Sequence, residues 1–394
     1  MNPAPFFVVA TPGRSVCDDN ARALANTGYL RLYAVGQRRA PLGIPPELTR
    51  HLRLLGMMRR FTELTLPPFQ AESFRFRLHP WFDRWVQRQL QPGDHLISSY
   101  GYTNSSFDWV RAHGGKTYLD GGNSHPDNFW EIIAEEHRRW DCPYPPVALH
   151  HSARSRAMME KVDFVLSPSS FVTRSFLARG FSNDQIIPTT YPCDLSCFTP
   201  SPGPRPASRP LTVTTTGTLS LRKGTPYLLE AFRLVLKKHP TARLRLTKSI
   251  SDNIRPVLDR YSDLPIDWIP HLGHAALAES LRQADIFVLP SLEDGFARTV
   301  TEALACGLPV ITTPNTGASD CIQPGLNGEI VPIRDPAAIA NAILQWADRV
   351  MTASEPPPGR LLNPTQFTFD SFQRQFLSAL ADRNIIPVEK ITAL

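Results

Sequence analysis

The chain has 394 residues, of which 42% are hydrophobic and 20% are charged, so its composition is that of a globular protein and its length favours two domains. No apolar run approaches the roughly 18 residues that a membrane-spanning helix needs, and the N-terminal stretch lacks the basic start and long apolar core of a secretory signal. The net charge of +6 permits attraction to phosphorylated ligands or anionic lipid, whereas nucleic-acid binding is disfavoured because no recognition motif appears. Six cysteines without a C-x2-C pair indicate reduced thiols in a cytoplasmic protein.

The first half of the chain shows short apolar strands with helices between them. We expect a first strand from Phe6 to Ala10 and further strands in HLISSYG (95–101), KTYLDGG (116–122) and DFVLSPS (163–169). Residues 51–89 mix arginine with Leu, Met, Phe and Trp, which allows two interpretations. A basic amphipathic helix there would lie on an anionic membrane, at the inner face of which a lipid-linked acceptor is presented. The alternative, which we favour, is a helix with a solvated arginine face.

Proline marks the domain boundaries. Five prolines fall between Pro200 and Pro210, and such a stretch behaves as a stiff linker. We therefore predict an N-terminal domain over 1–199, a linker over 200–210 and a C-terminal domain over 211–360. A second break at EPPPG (355–359) precedes Phe369, Phe372, Phe376 and Leu380, whose helical spacing predicts an amphipathic helix within 361–394.

Strands and helices alternate regularly after the linker. The expected strands are LTVTTTG (211–217), ARLRLT (242–247), IDWIP (266–270), DIFVLPS (285–291) and LPVITTP (308–314). The expected helices are YLLEAFRLVLKKH (227–239), 254–261, AALAESLRQA (275–284), ARTVTEALACG (297–307) and AAIANAILQWADRV (337–350). This alternation predicts α/β domains with parallel, doubly wound sheets, in which ligands bind beyond the carboxyl ends of the strands.

The loop after residue 214 carries basic residues next to a helix start. A strand ends at Gly217, Arg222 and Lys223 follow, and Gly224 lets the backbone turn into a helix. Basic side chains beside a helix N-terminus form a phosphate site. Neither the G-x-G-x-x-G nor the G-x4-G-K-[ST] spacing is present, so a solvated basic turn remains an equal alternative.

The stretch EDGFARTVTEALACGLPVITTPNTG (293–317) places two acids eight residues apart. Asp294 follows a buried strand, and Glu302 lies just over a turn inside the next helix, which we expect to begin near Ala297. Free amides at that helix start can hold sugar oxygens or an anion, and a carboxylate is a natural acceptor for the vicinal hydroxyls of a ribose. The alternative makes Asp294 the N-cap of the helix and Glu302 a surface residue.

A third loop, LDGGNSHPDN (119–128), places His125 after a glycine-rich strand exit. A histidine there can contact a ligand, although a lone histidine is more often a polar residue with ordinary partners.

The motifs together resemble those of the retaining glycosyltransferases of family 4, the glycosyl transferases group 1, which have the GT-B architecture. PSLEDGFARTVTEALACGLPVITT (290–313) is similar to the family pattern PSxxEGFGxxxxEAxAxGxPVIxT, and the loop GTLSLRKG (217–224) is similar to its diphosphate loop. The resemblance spans about residues 94–380. It implies two doubly wound Rossmann-like domains facing across a cleft, the first for the acceptor and the second for the donor, with the last helix crossing back to the first domain.

The resemblance also implies residue roles. Asp294 takes the place of the glutamate that meets the donor sugar, Glu302 that of the ribose ligand, and Lys223 that of the diphosphate lysine. Thr218 stands where the family has an arginine, so Arg222 is the expected replacement, and His125 matches a histidine near the donor sugar. The remaining expected donor contacts are Gly13, Gly217, Thr218, Pro290, Gly295, Phe296 and Ala297, the last in place of a family glycine.

The expected reaction is transfer of a sugar, with retention, from a nucleoside-diphosphate sugar to a hydroxyl of a glycan, lipid-linked or small-molecule acceptor. Lys223, Arg222 and a helix N-terminus would stabilise the leaving diphosphate, so no metal or other cofactor is expected, and no D-x-D motif is present. Two alternatives stay open: a nucleotide-sugar-binding protein with impaired catalysis, and a GT-B nucleotide-sugar epimerase.

Overall fold

The structure, a computed structural model, describes residues 6–13, 15–36, 43–66, 68–144, 146–201, 209–251, 254–352 and 362–387. Residues 202–208, which make up most of the predicted linker, and the EPPPG segment at 355–359 lie outside these ranges.

Its strands in chain order are β1 (Phe7–Thr11), β2 (Leu30–Val35), β3 (Thr49–His51), β4 (His95–Ser98), β5 (Thr117–Asp120), β6 (Phe164–Ser167), β7 (Ile186–Pro188), β8 (Thr212–Thr214), β9 (Arg243–Thr247), β10 (Ile266–Ile269), β11 (Ile286–Leu289), β12 (Val310–Thr312) and β13 (Gly328–Ile330). Its α-helices are α1 (Cys17–Asn26), α2 (Arg53–Thr65), α3 (Pro68–Arg77), α4 (His79–Gln87), α5 (Asn104–Ala112), α6 (Pro126–Arg139), α7 (Pro146–Met159), α8 (Ser170–Leu177), α9 (Thr225–Leu236), α10 (Arg255–Asp259), α11 (His274–Arg282), α12 (Arg298–Ala305), α13 (Pro336–Thr352) and α14 (Phe369–Ala381).

These elements fold into two units. The first comprises Met1–Trp130, Tyr144–Pro192 and Phe369–Leu394, and the second comprises Glu131–Pro143 and Cys193–Thr368. The change from the first to the second unit at Pro192 comes a few residues before the predicted linker, and the predicted C-terminal helix is α14 of the first unit.

The first unit contains a parallel sheet with the order β3-β2-β1-β4-β5-β6-β7. Every residue of β1 is buried, as expected for a strand covered on both faces. One face packs against α1 and α14, where Phe372 and Phe376 stack with ring centroids 5.7 Å apart. The Asn26 side chain donates to the Gln373 amide oxygen at 2.7 Å, which fixes the position of α14 along α1.

The second unit contains a parallel sheet with the order β10-β9-β8-β11-β12-β13, covered by helices that include α9 and α13. Glu131–Pro143 joins this unit because the fully buried Glu136 carboxylate accepts hydrogen bonds from the Tyr227 hydroxyl at 2.7 Å and the Arg334 guanidinium at 2.5 Å. The strand order reverses between β8 and β11, so the loops after these two strands leave the sheet side by side.

The structure contains four strands that the sequence analysis did not predict: β2, β3, β7 and β13. Three of them have only three residues each, too short for a period to show. In the fourth, β2, the basic residue Arg31 interrupts the apolar run. Arg31 fits there because its Nε donates to the Asp94 carboxylate at 2.7 Å. The predicted helix at 297–307 is observed as Arg298–Ala305.

Gly224 lies where the loop after β8 packs closely against the loop after β11. It precedes α9 with φ of 68°, and a Cβ there would lie 1.9 Å from the Pro290 carbonyl oxygen. Gly217 in the same loop has φ of 94°, but a Cβ there would meet no atom within 4 Å.

We expect Gly217→Ala to lower the free energy of unfolding by about 1–2 kcal/mol through backbone strain alone. Gly224→Ala should cost at least about 3 kcal/mol because strain and a backbone clash add. Urea unfolding of both variants measures the difference, and equal losses would contradict the close packing.

Candidate functional site

The loop after β8 and the loop after β11 are bonded together at the switch point of the second sheet. β8 and β11 are paired neighbours, and beyond them the Leu292 amide donates to the Arg222 carbonyl at 2.9 Å. The carboxyl ends of strands at such a reversal are where open α/β sheets bind ligands.

Two consecutive basic residues of the first loop meet two consecutive acids of the second. The Lys223 ammonium forms an ion pair with the Asp294 carboxylate. The Arg222 guanidinium donates to the Glu293 carbonyl at 2.8 Å and to its carboxylate at 3.1 Å. Burial alone would raise the pKa of Asp294, but Lys223 and Arg222 outweigh it and lower that pKa below its ordinary value. Asp294 is therefore ionised at neutral pH.

Arg222, predicted to bind phosphate, is thus oriented by Glu293, whose side chain is fully buried. The sequence analysis did not give Glu293 a role in the site. The sequence did contain a signal for this pairing. Two consecutive basic residues, Arg222 and Lys223, follow one strand, and two consecutive acids, Glu293 and Asp294, follow the strand that pairs with it in parallel.

Asp294 does not cap α12. The N-cap residue is Ala297, three positions later, and its side chain makes no capping hydrogen bond. Instead, the Asp294 backbone bonds to the segment after β12, with its amide donating to Asn315 at 3.0 Å and its carbonyl accepting from Gly317 at 2.8 Å. These bonds aim the side chain at Lys223, so the N-cap interpretation of Asp294 is wrong.

Glu302 lies on the second turn of α12 and is half-buried. Its Oε2 is shielded from solvent and finds no hydrogen-bond partner anywhere in the described part of the chain. Burial raises the pKa of Glu302 to about 7, with Arg298 opposing the shift. A buried acceptor without a donor costs free energy, so this carboxylate is suited to accept hydrogen bonds from a ligand.

The other residues predicted for this site lie on the same two loops. Gly217 and Thr218 are exposed after β8, and the Thr218 hydroxyl lies 3.0 Å from that of Ser249. Pro290, Gly295 and Phe296 are buried in the loop after β11. Thr218 therefore supplies no charge where the resemblance expects an arginine.

The other two predicted residues, Gly13 and His125, belong to the first unit. His125 precedes α6 and is 5% exposed, and its Nδ1 accepts the Asp127 amide at 3.2 Å, which leaves Nε2 to carry the proton of the neutral ring. Gly13 follows β1, where a Cβ would lie 2.3 Å from an Arg59 guanidinium nitrogen.

The first unit also contains a cavity of about 590 Å³ at the carboxyl ends of β1, β4 and β5. Its wall includes Arg59 and Arg75, together with His79 and His151 from α4 and α7. Aromatic rings line it as well, and the His151 ring centroid lies 4.4 Å from that of Phe76.

Asp120 lies at the floor of the cavity. Burial raises the pKa of Asp120 to about 6, although Tyr191 and Asn20 each donate to the carboxylate at 2.8 Å. The sequence analysis predicted no cavity residue except Gly13. The one available signal was Asp120 directly before the glycine pair of the strand exit LDGG.

The described ranges contain neither a metal-binding cluster nor a membrane-spanning helix. No group of three or more His, Cys, Asp or Glu side chains there is placed to hold a metal ion. None of the helices in those ranges is both long and apolar enough to cross a bilayer. All six cysteines are free thiols.

The comparison with protein families concerns the second unit. A family model described as glycosyl transferases group 1 matches residues 210–349. This segment is similar to a glycosyl transferases group 1 domain. It includes both loops of the switch point, with Lys223, Asp294 and Glu302.

Curated relatives agree with this assignment but match only part of the chain. The chain is 24% identical over 208 residues to the putative colanic acid biosynthesis glycosyltransferase WcaL of Escherichia coli, which covers 50% of this chain and 51% of the relative. It is 30% identical over 152 residues to a D-inositol 3-phosphate glycosyltransferase of Pseudarthrobacter chlorophenolicus, covering 37% and 34%. The chain thus matches about half or less of the length of these relatives.

Solved structures extend the likeness of the fold to nearly the whole chain. Sucrose-phosphate synthase from Thermosynechococcus elongatus aligns with a TM-score of 0.66 at 19% identity, covering 96% of this chain and 98% of that one. The lipopolysaccharide galactosyltransferase WaaB aligns with a TM-score of 0.64 at 14% identity, covering 96% and 99%. The predicted fold, with two Rossmann-like α/β units as in GT-B glycosyltransferases, is confirmed.

Ala297 offers a test of backbone strain at the site. It has φ of 66° and ψ of 74°, a left-handed conformation that favours glycine. We expect Ala297→Gly to raise the free energy of unfolding by about 1 kcal/mol, because relief of strain exceeds the added entropy of the unfolded chain. Ala303→Gly, inside the same helix, is the control and should lower it by about 1 kcal/mol or more. Loss of stability in Ala297→Gly, measured by urea unfolding, would contradict the strained conformation.

We expect the contributions of Lys223 and Asp294 to the free energy of unfolding to be strongly coupled. Lys223→Ala and Asp294→Ala should each lower the free energy of unfolding by about 2–3 kcal/mol, because each leaves a largely buried charge without its partner. The double variant should lose about 1–3 kcal/mol less than the sum of the two. A double-mutant cycle by urea unfolding measures this coupling, and additive losses would show that the two charges do not interact.

Proposed function

We propose that the protein is a retaining glycosyltransferase that moves a sugar from a nucleoside-diphosphate sugar to a hydroxyl acceptor without a metal ion. We propose a cytoplasmic location and a role in building a cell-envelope polysaccharide, as in relatives such as the putative colanic acid enzyme. The nucleotide sugar is a co-substrate, and no other cofactor is part of the proposal.

One observation carries this proposal. In a segment similar to a glycosyl transferases group 1 domain, the loops after β8 and β11 bring together Lys223 and Asp294 as an ion pair, and α12 carries Glu302, whose Oε2 has no hydrogen-bond partner in the described ranges. These groups match the needs of a nucleotide sugar, which are a cation for the diphosphate and acceptors for the hydroxyls of the sugar and the ribose. A structure with a similar fold, Anabaena Alr3699/HepE, was solved in complex with UDP-glucose, with a TM-score of 0.62.

The proposed reaction follows from this set of groups. The bond between the anomeric carbon and the diphosphate breaks, and negative charge grows on the leaving oxygen. Lys223 and the amides at the start of α12 stabilise that charge, since they are already oriented before the reaction. Arg222 adds its positive charge from the position in which Glu293 holds it.

The acceptor oxygen then bonds to the anomeric carbon on the face from which the diphosphate departs, and its proton passes to the leaving phosphate. Asp294 accepts hydrogen bonds from the donor sugar, while Glu302 accepts them from the ribose. His125 stays a predicted contact of the donor sugar, and the first unit supplies the acceptor site.

The proposal is tested without knowledge of the natural acceptor. A thermal-shift screen over UDP-, GDP-, ADP- and dTDP-sugars selects the donor, and methanol then serves as a simple acceptor. We expect a methyl glycoside with the anomeric configuration of the donor, identified by NMR, and an unchanged rate in EDTA. An inverted product, or loss of activity that manganese restores, would contradict the mechanism.

Variants sharpen this experiment. Lys223→Ala should lower the rate at least tenfold, about 1.4 kcal/mol of barrier, whereas Lys238→Ala, an exposed lysine of the same unit, should leave it unchanged. Binding of a nucleotide sugar without turnover would indicate a binding protein. Conversion of the donor to its epimer without an acceptor would indicate an epimerase.

Glu302 makes nucleotide binding depend on pH. Ribose hydroxyls donate to the ionised carboxylate, so binding requires a group whose pKa is about 7 to lose its proton. We expect UDP affinity of the wild type to rise as pH increases from 6 to 8. Glu302→Gln should bind UDP about tenfold more weakly at pH 8, about 1.4 kcal/mol, and the gap should narrow at pH 6. Isothermal titration measures both proteins, and phosphate titration of UDP is common to them. Equal affinities at pH 8 would remove Glu302 from the site, and a gap that stays constant with pH would contradict its titration in this range.

The titration of Glu302 should affect stability in the opposite direction to nucleotide binding, because without nucleotide its ionisation lowers the free energy of unfolding. The folded pKa of Glu302 is raised above its ordinary value of 4.5, so the stability linked to its proton is present below pH 4.5 and is lost as pH rises through about 7. Glu302→Gln should therefore have a higher Tm than the wild type at pH 8 and a similar Tm at pH 4.5, both without nucleotide. A lower Tm at pH 8 would show that an internal donor pairs with the carboxylate.

A further inference from the structure

An exposed apolar stripe runs along α2 in the first unit. Leu54, Met57, Phe61 and Leu64 are 54%, 63%, 67% and 76% exposed. Their spacing places them on one face of the helix, in a stripe roughly 80° wide at about 100° per residue. Other large exposed apolar side chains in the described ranges occur no more than one to an element.

Arginines flank this stripe. Arg53 and Arg60 are exposed and lie at one edge of it by helical spacing. The sequence of α2 contains three arginines and one acid, Glu63. The exposed face is therefore apolar with a cationic border, which differs from the solvated arginine face that the sequence analysis favoured.

The opposite face of α2 is part of the fold. Leu55 is 5% exposed and packs in the core, and Leu55 and Arg59 line the cavity at the ends of β1, β4 and β5. One helix thus joins the cavity wall to the exposed stripe, and a surface docked on the stripe would lie beside the cavity.

We propose that the apolar stripe of α2 docks on an anionic lipid bilayer. An interfacial helix inserts its apolar side chains among the acyl chains near the headgroups while its arginines bind the anionic headgroups. The net charge of +6 for the chain favours the same surface. A second copy of the chain is a poorer fit, because four side chains present a few hundred Å² and stable dimers bury at least about 1,200 Å².

The test is flotation with vesicles. The full chain is mixed with vesicles of phosphatidylcholine and phosphatidylglycerol in equal parts, or of phosphatidylcholine alone, and centrifuged through a density gradient. We expect the wild type to float with the anionic vesicles and to stay below the neutral ones. The variant L54S/M57S/F61S/L64S should bind anionic vesicles at least about tenfold more weakly, since its inserted apolar area is lost.

Two further variants separate the causes. R53E/R60E should lose anionic binding while keeping the apolar stripe. L326S/M351S removes two exposed apolar side chains of the second unit and should float like the wild type. UDP binding in solution should be equal in all three variants and the wild type, so failure of this proposal is distinguishable from failure of the proposed function.

Phe61→Trp provides a measurement that does not depend on the fourfold variant folding. Its added tryptophan emission should shift to the blue with anionic vesicles and stay unchanged with neutral ones. The proposal is overturned if the wild type does not float with anionic vesicles, if L326S/M351S loses binding to the same extent, or if the emission of the Phe61→Trp variant does not shift. It is also overturned if light scattering shows a dimer that the fourfold variant converts to a monomer, since a second copy would then cover the stripe.

Discussion

Two neighbouring ion pairs across the β8–β11 switch point determine the arrangement of the candidate site. Arg222 and Lys223 come from one loop, and Glu293 and Asp294 come from the other. Because the strands are parallel and adjacent, the two loops leave the sheet in the same direction and their side chains pair in the same order. The ion pairs keep both loops at a fixed spacing, and this spacing sets the room between them for the proposed donor.

The two acids of the candidate site, Asp294 and Glu302, differ in whether their carboxylates have a partner within the protein. Asp294 is stabilised as an anion by Lys223, whereas the Oε2 atom of Glu302 has no hydrogen-bond partner in the described ranges and burial raises the pKa of this residue to about 7. Both acids come from one short motif, yet their surroundings give them different protonation behaviour at neutral pH. Such a difference is typical of ligand sites, where the bound ligand donates a hydrogen bond to a buried acceptor.

The fold and the second-unit loops could be predicted from sequence because their signals are local. Regular alternation after residue 211 gave the parallel sheet, and the spacing of Asp294 and Glu302 lies within one segment. The partner of Asp294 could not be read from that segment, since Lys223 is 71 residues away and an aspartate before a helix usually suggests a cap. The left-handed backbone of Ala297 was hidden for the same reason, as sequence shows an alanine and not its φ.

The first-unit cavity escaped prediction because its residues come from strand ends and helices scattered between Thr11 and Ser155. Five of them lie in the loop 119–128 that the sequence analysis singled out for His125, but only the sheet order brings this loop together with the others. The exposed side of α2 was predicted only in part, because Arg53 and Arg60 are exposed as expected but lie beside an exposed apolar stripe. Alternation of arginine with apolar residues does not reveal which of them a neighbouring element covers.

The close approach of Gly224 to the Pro290 carbonyl has a consequence for engineering the proposed donor site. An exchange of only one of the two loops would disturb this fit. Here, a new loop after β8 must leave room for the backbone of the loop after β11 and also provide cations in register with its acids. The two loops therefore form one transferable cassette, and a chimaera that takes both from the same parent keeps the steric fit and the charge order together.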